Sequence, residues 1–494
     1  MLAGDAISKA GAAKKTVEPA AAPESAIPVL AEADAAGVSL VCGNREAFAL
    51  RALSARAAAG TLDLQYYTWN EDMTGALLAR EVLRAADRGV RVRVLLDDLY
   101  MRGRDRALAA LVEHPRVEVR LYNPFRVRSW GALGAAVDLL LASYRLNHRM
   151  HNKSWIADGR LFIGGGRNVA DEYFGAASQF NFRDLDLVVE GEAAAQATEH
   201  FERYWKSRRV RPVEALAAAA ARRSAGGGLQ RLRQRLETAA AAPAASDYLA
   251  GWAAKPDLAA LLAGDRVLVP AERVRIAADP PRKGMGRRRA PGLLAEVRAA
   301  INGAAREVFV VSPYFVPGRR GAKLLTALVR RGVRVTVVTN SLAATDVLAV
   351  HGGYARHRRR LLRAGVELRE LKRGGQEGSS LLGSGGNASL HTKAFCVDDE
   401  LSFVGSFNFD PRSAHLNTEM GVFVRDAAVA DKLRAEVARL TDPARSWAVR
   451  LDGNGRLEWF DGGPHGPLHG EPDTSVARRV LARVLGWLPI ESYL

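Results

Sequence analysis

Two short stretches of this chain hold residue types that can do chemistry, and their spacing is identical. The first is His151-Asn152-Lys153-Ser154-Trp155-Ile156-Ala157-Asp158, followed by Gly165-Gly166-Arg167-Asn168. The second is His391-Thr392-Lys393-Ala394-Phe395-Cys396-Val397-Asp398, followed by Gly405-Ser406-Phe407-Asn408. Both read H-x-K-x4-D-x6-G-[GS]-x-N. One His two residues from a Lys is ordinary on a solvated surface; two copies that keep the Asp, Gly and Asn offsets are not. In each, His and Lys lie in an apolar run, which predicts a strand whose alternation aims both side chains at one spot.

Histidine serves as nucleophile, acid or base near neutral pH. Two imidazoles around one phosphodiester permit a two-step displacement. One attacks phosphorus and forms a phosphohistidine while the other protonates the departing alcohol. The second then deprotonates an incoming alcohol or water. Lys153 and Lys393 are placed to neutralise the non-bridging oxygens as charge builds up. Asn168 and Asn408 add neutral donors, with Gly166 and Ser406 at matching positions, so the half-sites are not equivalent. With two lysines supplying charge, neither a metal nor another cofactor is expected, and no His/Cys/carboxylate cluster has metal-ligand spacing. Asp158 and Asp398 join the catalytic candidates as motif members, although a strand end suits them to bonding backbone or Lys.

These motifs resemble those of the phospholipase D superfamily, in which two H-x-K-x4-D copies meet in one active site. The surroundings narrow the resemblance to bacterial cardiolipin synthases, most like the C type. They are Asn147-His148-Arg149-Met150, Asp171-Glu172-Tyr173-Phe174, Phe182-Arg183-Asp184-Leu185-Asp186, Asp410-Pro411-Arg412-Ser413 and the stretch 62–69. The resemblance covers most of 37–205 and 270–494. It implies that Asp184 supports His391, that Glu419 supports His151, and that His151 is the nucleophile. It also implies phosphatidyl transfer that makes cardiolipin from phosphatidylglycerol and a second phospholipid, phosphatidylethanolamine in the C type. A hydrolase of the same fold, with water as acceptor, and a nuclease are the alternatives.

Elements that must position these motifs follow from patterning. Strand-like residues 38–41, 62–69 and 90–96 alternate with helical spacing over 44–59 and 74–88. The order recurs at 274–276, 293–301, 307–315, 323–331 and 333–339, and Arg88-Gly89-Val90-Arg91-Val92 returns as Arg331-Gly332-Val333-Arg334-Val335. The expected fold is α/β: two homologous phospholipase D-like halves, each a mixed, largely parallel sheet flanked by helices, packed with pseudo-twofold symmetry around one active site. The expected domains are a disordered tail (1–36), a first half (37–205), an Ala/Arg-rich connector (206–265), a second half (266–445) and a C-terminal extension with an amphipathic helix (446–494). The Gly/Ser-rich residues 374–386 predict a loop at the mouth of the site.

Lys and Arg number 71 against 54 Asp and Glu, a net charge of +17 that favours a polyanionic partner. Aromatics make up only 7% and nowhere interleave with Arg, which argues against a nucleic-acid groove and leaves an anionic phospholipid membrane. No protein partner is readable. Residues 476–488 carry apolar side chains at helical spacing with Arg478, Arg479, Arg483 and Trp487, a form suited to such a surface. No stretch approaches the roughly 18 apolar residues of a spanning helix, 133–142 being nearest, and no signal-peptide core is present. Two cysteines, Cys42 and Cys396, exclude a disulfide framework and indicate a reducing compartment. Together these predict a peripheral protein on the cytoplasmic face of the bacterial inner membrane.

Overall fold

Two nine-stranded sheets, each backed by helices, carry the two motifs. The computed structural model describes residues 25, 27, 34–125, 146–216, 227–253, 257–283, 292–374, 387–464, 466–488 and 491. Residues 133–142 and 375–386, and nearly all of the expected tail, lie outside the described residues.

The first sheet uses β1 (Ala35–Val41), β2 (Thr61–Tyr66), β3 (Arg91–Asp97), β4 (Val117–Tyr122), β5 (Ser154–Ala157), β6 (Leu161–Gly165), β8 (Asp186–Glu190), β9 (Val210–Pro212) and β10 (Val267–Pro270). Its order is β10-β1-β8-β6-β5-β2-β3-β4-β9. The second uses β11 (Val274–Ala278), β12 (Glu307–Val311), β13 (Arg334–Asn340), β14 (Glu367–Leu371), β16 (Ala394–Val397), β17 (Leu401–Gly405), β18 (Met420–Arg425), β19 (Ser446–Leu451) and β20 (Leu457–Phe460). Its order, β11-β18-β17-β16-β12-β13-β14-β19-β20, repeats the first element for element, apart from β10 and β20 at the edges. Strand membership thus extends the first sheet past residue 205 and the second past 445.

The sheets are mixed, but not largely parallel. Among the described residues of these two sheets, only β2-β3-β4 and β12-β13-β14 run parallel; every other pair in them is antiparallel. The reason is connection length: crossover helices such as Met73–Asp87 and Gly318–Arg330 serve those strands, whereas β5 reaches β6 through a tight turn. The shared Arg-Gly-Val sequence explains the repeat locally. Gly89 and Gly332 take φ of +101° and +86° to end a helix before a strand. Arg88 and Arg331 reach across to the last turn of the helix one further back, Asn44–Ala57 and Leu293–Asn302, at the carbonyls of Ala55 (2.8 Å) and Asn302 (2.9 Å).

The sheets face each other across a common core that includes Leu40, Ile156, Phe162, Leu187, Cys396, Val404 and Val422. Separate cores lie under the outer helices of each half. Two further strands, β7 (Phe180–Arg183) and β15 (Asn387–Leu390), pair in parallel and stitch the halves together just ahead of His391.

Candidate active site

Each histidine precedes its motif strand, not lying within it as the apolar run suggested: β5 starts at Ser154 and β16 at Ala394. What fixes the histidines is backbone from the opposite half. His151 N donates to Thr418 O at 2.9 Å, and Met150 forms an isolated bridge with Thr418. His391 N donates to Arg183 O at 2.7 Å. The next residue after each acceptor is a carboxylate. Glu419 Oε2 lies 2.8 Å from His151 Nδ1, and Asp184 Oδ2 lies 2.6 Å from His391 Nδ1. A carboxylate at Nδ1 sets that nitrogen as the protonated one and leaves Nε2 with its lone pair. All four groups are buried.

Lys153 Nζ donates to His151 O at 2.7 Å, and Lys393 Nζ to His391 O while lying 2.9 Å from His391 Nδ1. Burial takes His151 down to about 4, with Glu419 pulling upward and both lysines pushing down. His391 is held well below its ordinary value by burial, then by Lys393, Lys153 and His151. Burial likewise depresses Lys153 strongly and Lys393 to about 8, against the pull of Glu419 and Asp184. Burial and crowding of these basic groups disfavour their protonated forms, against the two carboxylates.

The half-sites differ where one has Gly166 and the other Ser406. A Cβ on Gly166 would lie 2.2 Å from Asp184 Oδ1, so the carboxylate occupies the place of a side chain. Ser406 instead donates to Glu419 Oε2 (2.5 Å) and Ser413 to Oε1 (2.8 Å). Burial raises both carboxyls. His151, Lys153 and Ser406 outweigh it for Glu419, which ends below its usual range, whereas Asp184 stays above. Asn168 and Asn408 are buried; Asn168 donates to Tyr173 Oη (3.0 Å), and Asn408 Oδ1 has no hydrogen-bond partner among the described residues.

Asp158 and Asp398 lie outside this cluster, at the far ends of β5 and β16. Asp158 accepts from the backbone N–H of Ala59, Gly60 and Thr61 at 2.8–3.0 Å, and Asp398 from Ala305, Arg306 and Glu307 at 2.8–3.0 Å. Both take positive φ (+52°) and clamp the motif strand to its neighbour. Sequence reasoning missed the aromatic wall. Tyr67 stands 5.1 Å from the His151 ring, and Tyr173 (5.1 Å), Phe182 (4.7 Å) and Tyr314 (6.5 Å) surround His391. Tyr67, Tyr173 and Phe182 sit in stretches that carried the family resemblance, and that was the available signal. Among the described residues no group of three or more His, Cys, Asp and Glu side chains is arranged to hold a metal ion.

Comparison with known proteins agrees with this architecture. A family model described as "Cardiolipin synthase, PLD-like domain" matches residues 54–205 and 297–441, one segment per half. Cardiolipin synthase C of Escherichia coli (strain K12) is 41% identical over 90% of this chain and 93% of its own. A cardiolipin synthase of Staphylococcus aureus (strain N315) is 25% identical over 77% of this chain and 62% of its own. In fold, the crystal structure of a phosphatidylserine synthase from Haemophilus influenzae Rd KW20 superposes with a TM-score of 0.61 at 12% identity, covering 94% of this chain and 96% of that one. The chain belongs to the cardiolipin synthase family of phospholipase D-type phosphatidyltransferases.

Proposed function

We propose that this protein makes cardiolipin by moving a phosphatidyl group between two phospholipids through a phosphohistidine on His151. The reading rests on one observation: two imidazole–carboxylate pairs and two buried lysines converge in one pocket, each pair drawn from both halves. His151 Nε2 attacks phosphorus, and the bond to the departing alcohol breaks as His391 Nε2–H protonates that oxygen. The incoming alcohol then gives its proton to His391 and attacks phosphorus, breaking the P–N bond and restoring His151. Lys153 and Lys393 carry the charge of the non-bridging oxygens, with Asn168 and Asn408 beside them. A bound phosphodiester offsets the like charges that depress His391, so protonation of the acid accompanies substrate binding.

Phosphatidylglycerol is the acceptor, since its terminal hydroxyl can attack. Phosphatidylethanolamine has no hydroxyl, so as second substrate it donates the phosphatidyl group and ethanolamine leaves. The aromatic wall around the imidazoles limits water and favours transfer over hydrolysis. The protein works peripherally on the cytoplasmic face of the inner membrane. In support, no described helix is long and apolar enough to cross a membrane, both cysteines are free, and the net charge is +17.

The test is thin-layer chromatography of purified protein with labelled phosphatidylglycerol, with and without phosphatidylethanolamine. Cardiolipin with release of ethanolamine is expected; phosphatidic acid as the sole product would replace transfer by hydrolysis.

A further inference from the structure

The C-terminal helix Val476–Trp487 meets the protein with its smallest residues and turns its largest ones outward. A Cβ on Gly352, in the helix Leu348–Arg363, would lie 2.6 Å from Ala482 O and 2.8 Å from Gly486 N, so the two backbones touch. Ala482 and Gly486 are the buried positions. With 3.6 residues per turn, the opposite side holds Val476, Val480, Val484 and Trp487, flanked by Leu481 and Leu488. Ten large apolar side chains are exposed among the described residues, and these are six of them; Trp487 is 80% exposed and Val476 73%. A helix that only packs on its own domain shows the reverse pattern.

The helix is also firmly held. Ser475 caps it, and the Arg478 guanidinium donates to Leu342 O (2.9 Å) and Thr345 O (2.8 Å). Arg479 turns back to Thr474. Of the three arginines expected to face an anionic surface, Arg483 alone is exposed beside the apolar stripe. The neighbouring helix adds exposed Arg359, Arg360 and Arg363. Arg478 and Arg373 edge a cavity of about 420 Å³ that also touches Asp346 and Phe180. Asp346 accepts from Tyr314 Oη (2.6 Å), and the Phe180 ring stands 4.7 Å from Phe182; both Tyr314 and Phe182 pack around His391. The cavity therefore lies between the foot of this helix and the residues that contact the aromatic wall of His391.

We propose that the outward face of the helix Val476–Trp487 seats on a phospholipid bilayer and opens the Arg373/Arg478 cavity to the headgroup layer, from which His391 meets its phosphodiester. This rests on the phospholipid-substrate reading. An apolar stripe bordered by exposed arginines matches the acyl–headgroup boundary of an anionic leaflet, and the cavity explains why this face docks.

The test is the full chain carrying Val480→Ser, Val484→Ser and Trp487→Ser, all opposite the packing face. Partition onto mixed phosphatidylglycerol/phosphatidylcholine vesicles is expected to fall by at least about tenfold. Turnover of short-chain phosphatidylglycerol with short-chain phosphatidylethanolamine, each below its micelle concentration, is expected to stay at the wild-type level. Equal vesicle binding by variant and wild type overturns the proposal. So does a wild-type dimer that the variant dissociates with no change in vesicle binding, which assigns the stripe to a second copy. Absence of short-chain turnover in the wild type counts against the phosphatidyltransferase reading alone, and the vesicle partition still decides the docking face.

Discussion

Replacing Glu419 by Gln removes one charge from the site and keeps the shape. The carboxylate takes His151 Nδ1–H at 2.8 Å, the Ser406 hydroxyl at 2.5 Å and the Ser413 hydroxyl at 2.8 Å. An amide offers one oxygen and one NH2, so it cannot accept all three in place. The larger loss is electrostatic. In the proposed mechanism Nε2 bonds to phosphorus, and the ring with Nδ1 still protonated then carries positive charge. A carboxylate ~4 Å from that charge contributes about 4 kcal/mol at an effective dielectric of 20. Losing most of this slows the step by roughly 10²–10⁴-fold, comparable to the cost of neutralising the carboxylate in a Ser-His-Asp triad. The assay is the initial rate of labelled cardiolipin formation in mixed micelles, with circular dichroism to show that the fold persists. KM is expected to change by less than about tenfold, since the effect belongs to the transition state. A folded Glu419→Gln protein with kcat within a factor of about three of wild type would refute the assigned role of this pair.

His151→Ala and His391→Ala are each expected to abolish turnover, while EDTA leaves the wild type unaffected because the lysines supply the charge; inactivation by chelation with rescue by added metal contradicts this. Gly166→Ser copies the second half-site into the first, yet its Cβ meets Asp184 Oδ1 at 2.2 Å, so activity should drop more than about tenfold, read as kcat. Stability should also carry the mark of His151. Its pKa is near 4 folded and 6.5 unfolded, so below pH 6.5 the unfolded chain takes up a proton that the native state refuses. That contribution is full above pH 6.5 and falls by about 3 kcal/mol towards pH 4. Asp410, pushed up to about 7 by burial, acts in the opposite direction, so the comparison is between wild type and His151→Asn in urea titrations at several pH values. Parallel curves would contradict it.

The motifs were legible because each is local: His, Lys, Asp, Gly and Asn fall within 18 residues, and each keeps its offset in both copies. The alternation of strands and helices located the sheets for the same reason. Strand direction was less legible, because an apolar run such as 394–397 has the same composition in a parallel or an antiparallel pair, and connection length decides. Motif membership grouped Asp158 and Asp398 with the histidines, yet the strand between them carries each Asp out of the cluster, to the far end of the strand. Periodicity found the C-terminal amphipathic helix but could not say which face docks. That is decided by Gly352, 130 and 134 residues before Ala482 and Gly486, whose backbones it meets.

The pairing across the halves has a consequence for how the site comes into being. Neither half contains a complete imidazole–carboxylate pair: His151 waits for Glu419, and Asp184 waits for His391. The same backbone bonds that dock the halves, His151 N to Thr418 O and His391 N to Arg183 O, set each carboxylate one residue further on. Register across the interface is thus register of the imidazole–carboxylate pairs, and slipping either contact by one residue turns the carboxylate away from its imidazole. Burial of four groups that repel as cations costs stability, and the core shared by the two sheets, from Ile156 and Leu187 to Cys396 and Val422, offsets it. A chain with two near-equal halves accordingly has one candidate active site, because each half holds what the other lacks.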